Sequence, residues 1–180
     1  IRPDIVLHLG SKNPSFKQSS YKKYYQYNMD TTKNIFFAAF EKNTNTKFIF
    51  CNSSQIFKKK NGIVNEKSKF FFNSDYSKFR LKCHELMLDY KKKNNINYTN
   101  VILFNHDSIF RNKKFLIPRI ISSLKKRKYR FLKEITSENI SADFSHAQDI
   151  CSGLIKILLS KENINNVILS SGKLTRINDI

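Results

Sequence analysis

Short, continuously apolar runs alternate with amphipathic stretches along the first half of this chain, and that alternation leaves few architectures open. The runs are Ile5–Leu9 (IVLHL), Lys47–Cys51 (KFIFC) and Tyr98–Phe104 (YTNVILF). Each is too short for an ordinary helix and too evenly apolar for a strand with one wet face. Between the first two, Ile35, Phe36, Ala39 and Phe40 share one helical face, which predicts a helix over Lys22–Glu41. Between the second and third, after a polar loop over Asn52–Asn73, the stripe Phe79, Cys83, Leu86, Met87 and Tyr90 predicts a helix over Tyr76–Lys92. Strands buried on both faces, each followed by a helix, predict an α/β fold with a parallel sheet covered on both sides. Downstream, the pattern predicts a helix over Phe115–Lys126 with Pro118 in its first turn, where a missing N–H costs little. A short strand over Tyr129–Glu134, a helix over His146–Ser160 with Ile150, Leu154, Ile157 and Leu158 on one face, and a strand over Val167–Ser170 follow. Leu174–Ile180 reads as the start of a further helix.

Charge is the next constraint. The chain carries 33 basic and 14 acidic residues, a formal net charge of +19. Nucleic-acid binding, a site for a smaller anion and compositional drift toward Lys, Asn, Ile and Phe all fit that number. The basic residues are scattered over the whole chain, however, and the aromatic residues fall on core stripes instead of one basic face, so no nucleic-acid partner is expected. The run Lys125-Lys-Arg-Lys-Tyr-Arg130 reads as a solvated helix end or as an attraction for phosphates. No apolar run approaches the roughly 18 residues of a membrane span, so no membrane partner is expected. Cys51, Cys83 and Cys151 are odd in number and lack C-x-x-C spacing, which points to a reducing compartment, the cytoplasm. Cys51 and Cys83 read as small core residues. His8, His84, His106 and His146 show no ligand spacing, so no metal is assigned, and His146 reads as a helix cap or packing residue. The chain has no initiator Met and reads as an internal fragment of something longer.

In parallel α/β sheets, ligands bind at the carboxyl ends of the strands. Three polar clusters fall there: Gly10-Ser11 after the first run, Asn52-Ser53-Ser54-Gln55 after the second and Asn105-His106-Asp107-Ser108 after the third. Each alone suits an ordinary loop; their agreement on one edge suggests a site. Tyr76 and Arg80, four apart at a helix start, face the same way. A fixed cation beside a phenol favours the phenolate, which makes a general acid/base for a sugar hydroxyl.

These features together resemble the extended short-chain dehydrogenase/reductases. Val101-Ile-Leu-Phe-Asn-His-Asp-Ser108 is similar to the L-F-N-H-E-S stretch of the GDP-mannose 4,6-dehydratase family, and Asp143-Phe-Ser-His-Ala-Gln-Asp149 to its D-W-G-H-A-x-D stretch. Val167-Ile-Leu-Ser-Ser-Gly172 resembles the family's V-I-A-T-G strand, and Asn28, Thr32 and Asn34 its N-x-x-G-T-x-N helix. The resemblance implies a Rossmann-like doubly wound parallel sheet lacking its N-terminal strands, with part of a smaller C-terminal substrate domain. Residues 1–105 would belong to the NAD(P)-binding domain, and 106–180 mostly to the nucleotide-sugar region, with elements returning to the main domain.

The activity implied is NADP-dependent conversion of GDP-mannose to GDP-4-keto-6-deoxymannose, with NAD as the alternative cofactor. By position, Tyr76 would be the acid/base, Ser53 would stand for a hydrogen-bonding Thr, and Gln55 for the Glu that removes the C5 proton. Arg80 would replace the Lys that serves Tyr76 and the nicotinamide ribose. Leu9, Gly10, Ser11, Asn28 and His106 would line the cofactor, with Tyr76 and Arg80. Ser54, Asn105 and Arg119 would meet the GDP-sugar. The resemblance also implies a homodimer or homotetramer of the full-length protein, paired through the helices at Lys22–Glu41 and Tyr76–Lys92. Three departures stand out. Gln55 is not a base, Arg80 lacks the compact ammonium of Lys, and Ala142 stands where the family has an Arg. They keep open another nucleotide-sugar epimerase or reductase, or a catalytically silent nucleotide-binding relative.

Overall fold

The computed structural model describes residues 2–12, 21–58, 62–138 and 140–180, with side chains from residue 24 onward in the first helix. Its elements run β1 (Ile5–His8), α1 (Tyr21–Glu41), β2 (Lys47–Ser53), α2 (Asp75–Asn94), β3 (Asn97–Leu103) and β4 (Asn105–Asp107). They continue with α3 (Leu116–Lys125), α4 (Tyr129–Ser137), β5 (Ser141–His146), α5 (Ala147–Leu159), β6 (Asn166–Leu169) and β7 (Leu174–Arg176). Two compact units result. One comprises Ile1–Leu103 with Lys156–Ile168, the other Phe104–Ile155 with Leu169–Ile180.

The first unit is built on a sheet of order β1-β2-β3-β6. β1, β2 and β3 are parallel, with Ile5 opposite Lys47 and Lys47 opposite Asn97. β2 is buried from Lys47 to Asn52 and β3 from Tyr98 to Ile102, as a sheet covered on both faces requires. β1 is an edge, and its Ile5 is exposed. Because β1, β2 and β3 step across the sheet in one direction, right-handed crossovers put α1 and α2 on the same face. There Met29, Phe36, Ala39 and Phe40 of α1 meet Phe79, Cys83 and Met87 of α2 over Phe48, Phe50 and Tyr98 of the sheet. Phe36 is the hub, with its ring edge-on to Phe48, Phe40 and Tyr90 at centroid distances of 5.0, 5.2 and 5.5 Å. Ile35, predicted on that stripe, is partly exposed at its margin.

Alternation along β2 sends Lys47 to the opposite face from Phe48. Its buried ammonium donates to the C=O groups of Ile157, Leu158 and Ser160, closing the C-terminus of α5. That is where a helix leaves carbonyls unpaired and favours a cation. Helices therefore serve both faces, as doubly wound sheets require. α2 is set locally at both ends. Ser74 and Ser77 form a reciprocal capping box, Asp75 sits in the first turn, Lys91–Lys93 in the last, and Asn95 takes the left-handed conformation that stops the helix.

The second unit holds a small sheet, β4-β5-β7, in which β4 is parallel and β7 antiparallel to β5. Ile120, Ile135 and Ile177 form its core, with Phe131, Leu132 and Phe144 packed against them. Gly153 lets α5 approach β6: a Cβ there would lie 2.9 Å from a Leu169 methyl.

Two expectations are corrected. Tyr129–Glu134 is not a strand but the body of α4, because Phe131, Leu132 and Ile135 recur at helical spacing and pack onto α3. Leu174–Ile180 does not open an α-helix. Leu174–Arg176 pairs with Ser141–Asp143, and a single 3-10 turn over Ile177–Asp179 buries Ile177. β4 and β5 were not anticipated, and His146 ends β5 instead of opening α5. Its Nδ1 accepts from the Gln148 N–H at 3.2 Å, the cap expected of it. The expected Asn52–Asn73 loop begins with the last residues of β2 and a 3-10 turn over Ser54–Ile56; its residues 59–61 lie outside the described residues. Among the described residues, no helix is long and apolar enough to cross a membrane.

Candidate active site

In the first unit the carboxyl ends of β1 and β2 and the start of α2 are tied together by Arg80. Its Nε donates to Tyr76 Oη at 3.1 Å, one turn back along α2. One terminal N–H donates to the Cys51 C=O on β2 at 2.8 Å, and another to Ser11 Oγ beyond β1 at 2.7 Å. The capping box that starts α2 at Asp75 is what puts Tyr76 and Arg80 on one face at this edge. Tyr76 is half-buried; Arg80 is buried.

Asn28 anchors the same loop from α1. Its Oδ1 accepts from the Lys12 N–H at 2.9 Å and its Nδ2 donates to the Lys12 C=O at 3.1 Å. Ser11 and Lys12 are thus held from two helices, while Leu9 and Gly10 beside them are exposed. His8 lies beneath, paired with Thr32 Oγ1 at 3.0 Å. Burial, and then the Arg80 charge, hold its imidazole down to about 4.

At the end of β2, Ser53 Oγ accepts from the Gln55 N–H and caps the 3-10 turn over Ser54–Ile56. Ser54 is half-buried and Gln55 exposed. Asn52, buried just before, accepts the Ser53 N–H on Oδ1 at 2.8 Å and donates through Nδ2 to Asn100 Oδ1 at 3.0 Å. Asn100 Nδ2 donates in turn to Asn166 Oδ1 at 2.9 Å. A row of three amides therefore crosses β2, β3 and β6. Sequence reasoning named Asn52, His8 and Thr32 but missed this row and the pairing of His8 with Thr32; polar residues inside otherwise apolar strands were the available signal.

The second unit brings together the distant family-like segments. Asn105, His106 and Asp107 pair with Phe144, Ser145 and His146 as β4 and β5. The Asp143 carboxylate accepts the N–H groups of Ser171 and Gly172 at 2.9 and 2.8 Å, closing a turn in which Gly172 has φ +72°. Asn105 Nδ2 donates to the Asp143 C=O at 3.2 Å, and His106 Nδ1 faces the Phe104 C=O at 2.8 Å. Arg119 is exposed, with its guanidinium 3.8 Å from the Phe131 ring centroid. A cavity of about 770 Å³ opens nearby, walled by Ile117, Pro118, Ile121 and Phe144 and rimmed by Arg111 and Lys125 among other cations. Asn105, His106 and Arg119 lie outside its lining; Lys125 and Lys126 of the basic run noted in the sequence lie in it, whereas Arg111 and Lys113 were not singled out from sequence. No group of three or more His, Cys, Asp or Glu that could hold a metal occurs among the described residues.

Residues 1–180 match the family model described as GDP-mannose 4,6 dehydratase. The chain is 25% identical over 118 residues to a GDP-mannose 4,6-dehydratase of Sinorhizobium fredii (strain HH103), covering 63% of this chain and 32% of that protein. It is 24% identical over 111 residues to a GDP-mannose 4,6 dehydratase of Drosophila melanogaster, covering 61% and 28%. Among solved structures it resembles a UDP-glucuronic acid 4-epimerase from Bacillus cereus, in complex with UDP-glucuronic acid and NAD, with TM-score 0.83 and 19% identity over 98% of this chain and 56% of that one. It also resembles the dTDP-glucose 4,6-dehydratase DesIV from Streptomyces venezuelae, with TM-score 0.82 and 14% identity over 98% and 54%. These likenesses show the fold, a Rossmann-type α/β sheet. The chain spans about a third of the length of the curated relatives and somewhat over half that of the solved chains.

Proposed function

The chain belongs to the GDP-mannose 4,6 dehydratase family, and from that premise we propose that its full-length protein is a nicotinamide-dependent nucleotide-sugar enzyme that works at the hexose C4. The observation that carries this reading is the Arg80-centred cluster, in which a guanidinium holds Tyr76 against the loop after β1. A phenol beside a fixed cation, with hydroxyls and exposed Gly10 backbone next to it, suits a cofactor nicotinamide and ribose. NADP, or NAD as in the solved relatives with bound cofactor, would accept the C4 hydride and return it. The chain's own residues would handle the proton and the sugar. Tyr76 takes the proton of the C4 hydroxyl. Ser53 hydrogen-bonds that hydroxyl, with Ser54 beside it. Leu9, Gly10, Ser11, Asn28 and His106 line the cofactor, and Arg80 supplies the charge beside it. Asn105 and Arg119 hold the GDP-sugar, whose phosphates suit the cationic rim of the second unit's cavity.

GDP-mannose is the proposed substrate, and GDP-4-keto-6-deoxymannose the product of a complete dehydratase cycle. One residue favours a second reading. Gln55 offers an amide where loss of the C5 proton calls for a base, so chemistry confined to C4, as in an epimerase, needs nothing that Gln55 lacks. Exposed Tyr27, Ile35 and Phe37 on α1 support pairing of two copies through the helical face. The deciding experiment incubates the full-length protein with GDP-mannose and NADP and follows the sugar by mass spectrometry. A product lighter by one water supports the dehydratase. Retained mass with an altered C4 configuration supports the epimerase. No binding of nucleotide sugar or nicotinamide cofactor refutes both.

A further inference from the structure

Arg80 is only 6% exposed, yet it takes part in no ion pair among the described residues. A buried guanidinium must then place its N–H groups on neutral acceptors. It finds them on three separate segments: Tyr76 Oη, the Cys51 C=O and Ser11 Oγ. Its flat group also lies among the rings of Tyr76, Phe79 and Phe50, at 5.1, 5.3 and 5.5 Å from their centroids. A planar fork can serve three acceptors in three directions while its faces stack; the point-like ammonium of Lys cannot reproduce that geometry.

We propose that Arg80 is a positioning residue. It presets the Tyr76 hydroxyl against Ser11 and the end of β2 through contacts internal to the chain, beyond the charge it sets beside the cofactor. Because Nε donates to the phenolic oxygen from one side, the remaining lone-pair side of that oxygen is left to face a ligand hydroxyl. Ser11 is the second half of the device. It turns the loop after β1 into a fixed wall, and Asn28 holds the next residue from the other side. This inference deepens the proposed function and rests on its reading of Tyr76 as the acid/base.

The test uses the full-length protein with Arg80→Lys, Ser11→Ala and the double variant. Turnover of GDP-mannose with NADP is measured beside unfolding equilibria. Positioning predicts that Arg80→Lys lowers kcat about tenfold or more while the cofactor KM moves less than about threefold. Ser11→Ala, the gentler change, lowers kcat in the same sense. In the unfolding equilibria, the combined effect falls short of the product of the single effects by at least about threefold. Retained or raised kcat in Arg80→Lys overturns the inference, as does a loss lying wholly in cofactor KM. Multiplicative stability effects overturn it too, and they do so even in a protein without turnover. Absence of turnover in wild type with coupling intact sinks the proposed reaction and leaves the internal clamp standing.

Discussion

The amide row Asn52–Asn100–Asn166 offers a stringent check on the first unit. Asn100 is fully buried and Asn52 nearly so, and each amide serves the next. Asn100→Ala strands Asn52 Nδ2 without an acceptor, at about 1–3 kcal/mol, and loses the Asn166 bond, at about 1 kcal/mol. The sum is about 2–4 kcal/mol. Asn52→Ala strands Asn100 Oδ1 and takes the acceptor from the Ser53 N–H, for a similar total. The double variant removes both amides at once, so neither faces a missing partner. With both stranding penalties gone, it is expected to cost about 2–6 kcal/mol less than the two singles added together. Urea unfolding with a slope of about 2 kcal/mol/M would show each single variant lowered by about 1–2 M. Amide exchange across β2 and β3 confines the effect to this sheet. Additivity within about 0.5 kcal/mol would mean that the two amides do not pair, and the reasoning would fail.

Burial also holds the His84 imidazole, paired with Tyr98 Oη at 2.8 Å, down to about 4, as it does that of His8. Both groups take up protons on unfolding below about pH 6.5, so their contribution is whole above that pH and shrinks as pH falls toward 4. The unfolding midpoint should therefore drop between pH 7 and 5; a flat profile over that range contradicts the burial argument. Cys83 is buried and pushed up to about 12, Cys51 is buried, and Cys151 is exposed on α5. A thiol reagent at neutral pH should label Cys151 first and reach the other two only with denaturant; equal labelling of all three in native buffer would contradict this. Lys47→Met removes the charged cap on the last carbonyls of α5, at about 1.5–3 kcal/mol. Unchanged stability in that variant would show that water replaces the ammonium without penalty.

Local periodicity carries β1, β2, β3, α1 and α2, because each is long or apolar enough that one buried face dictates its state. It also carries the juxtaposition of Tyr76 with Arg80, since four residues on a helix always share a face. It could not settle Tyr129–Glu134 or Leu174–Ile180. Such short amphipathic pieces gain too little from their own hydrogen bonds, and the neighbour they pack on decides between helix and strand. Phe131 and Leu132 found α3 and α4's own Ile135, and Leu174–Arg176 found β5. Nor does spacing say that Asn105–Asp107 would pair with Phe144–His146, that three asparagines would line up across three strands, or that Arg80 would reach Cys51 and Ser11. Sequence alone determined the alternating α/β frame, the residues at its carboxyl edge and the family they resemble. Only tertiary structure decided which of those residues hold one another, because a hydrogen bond between segments tens of residues apart depends on register and chain path, and neither is written in local pattern.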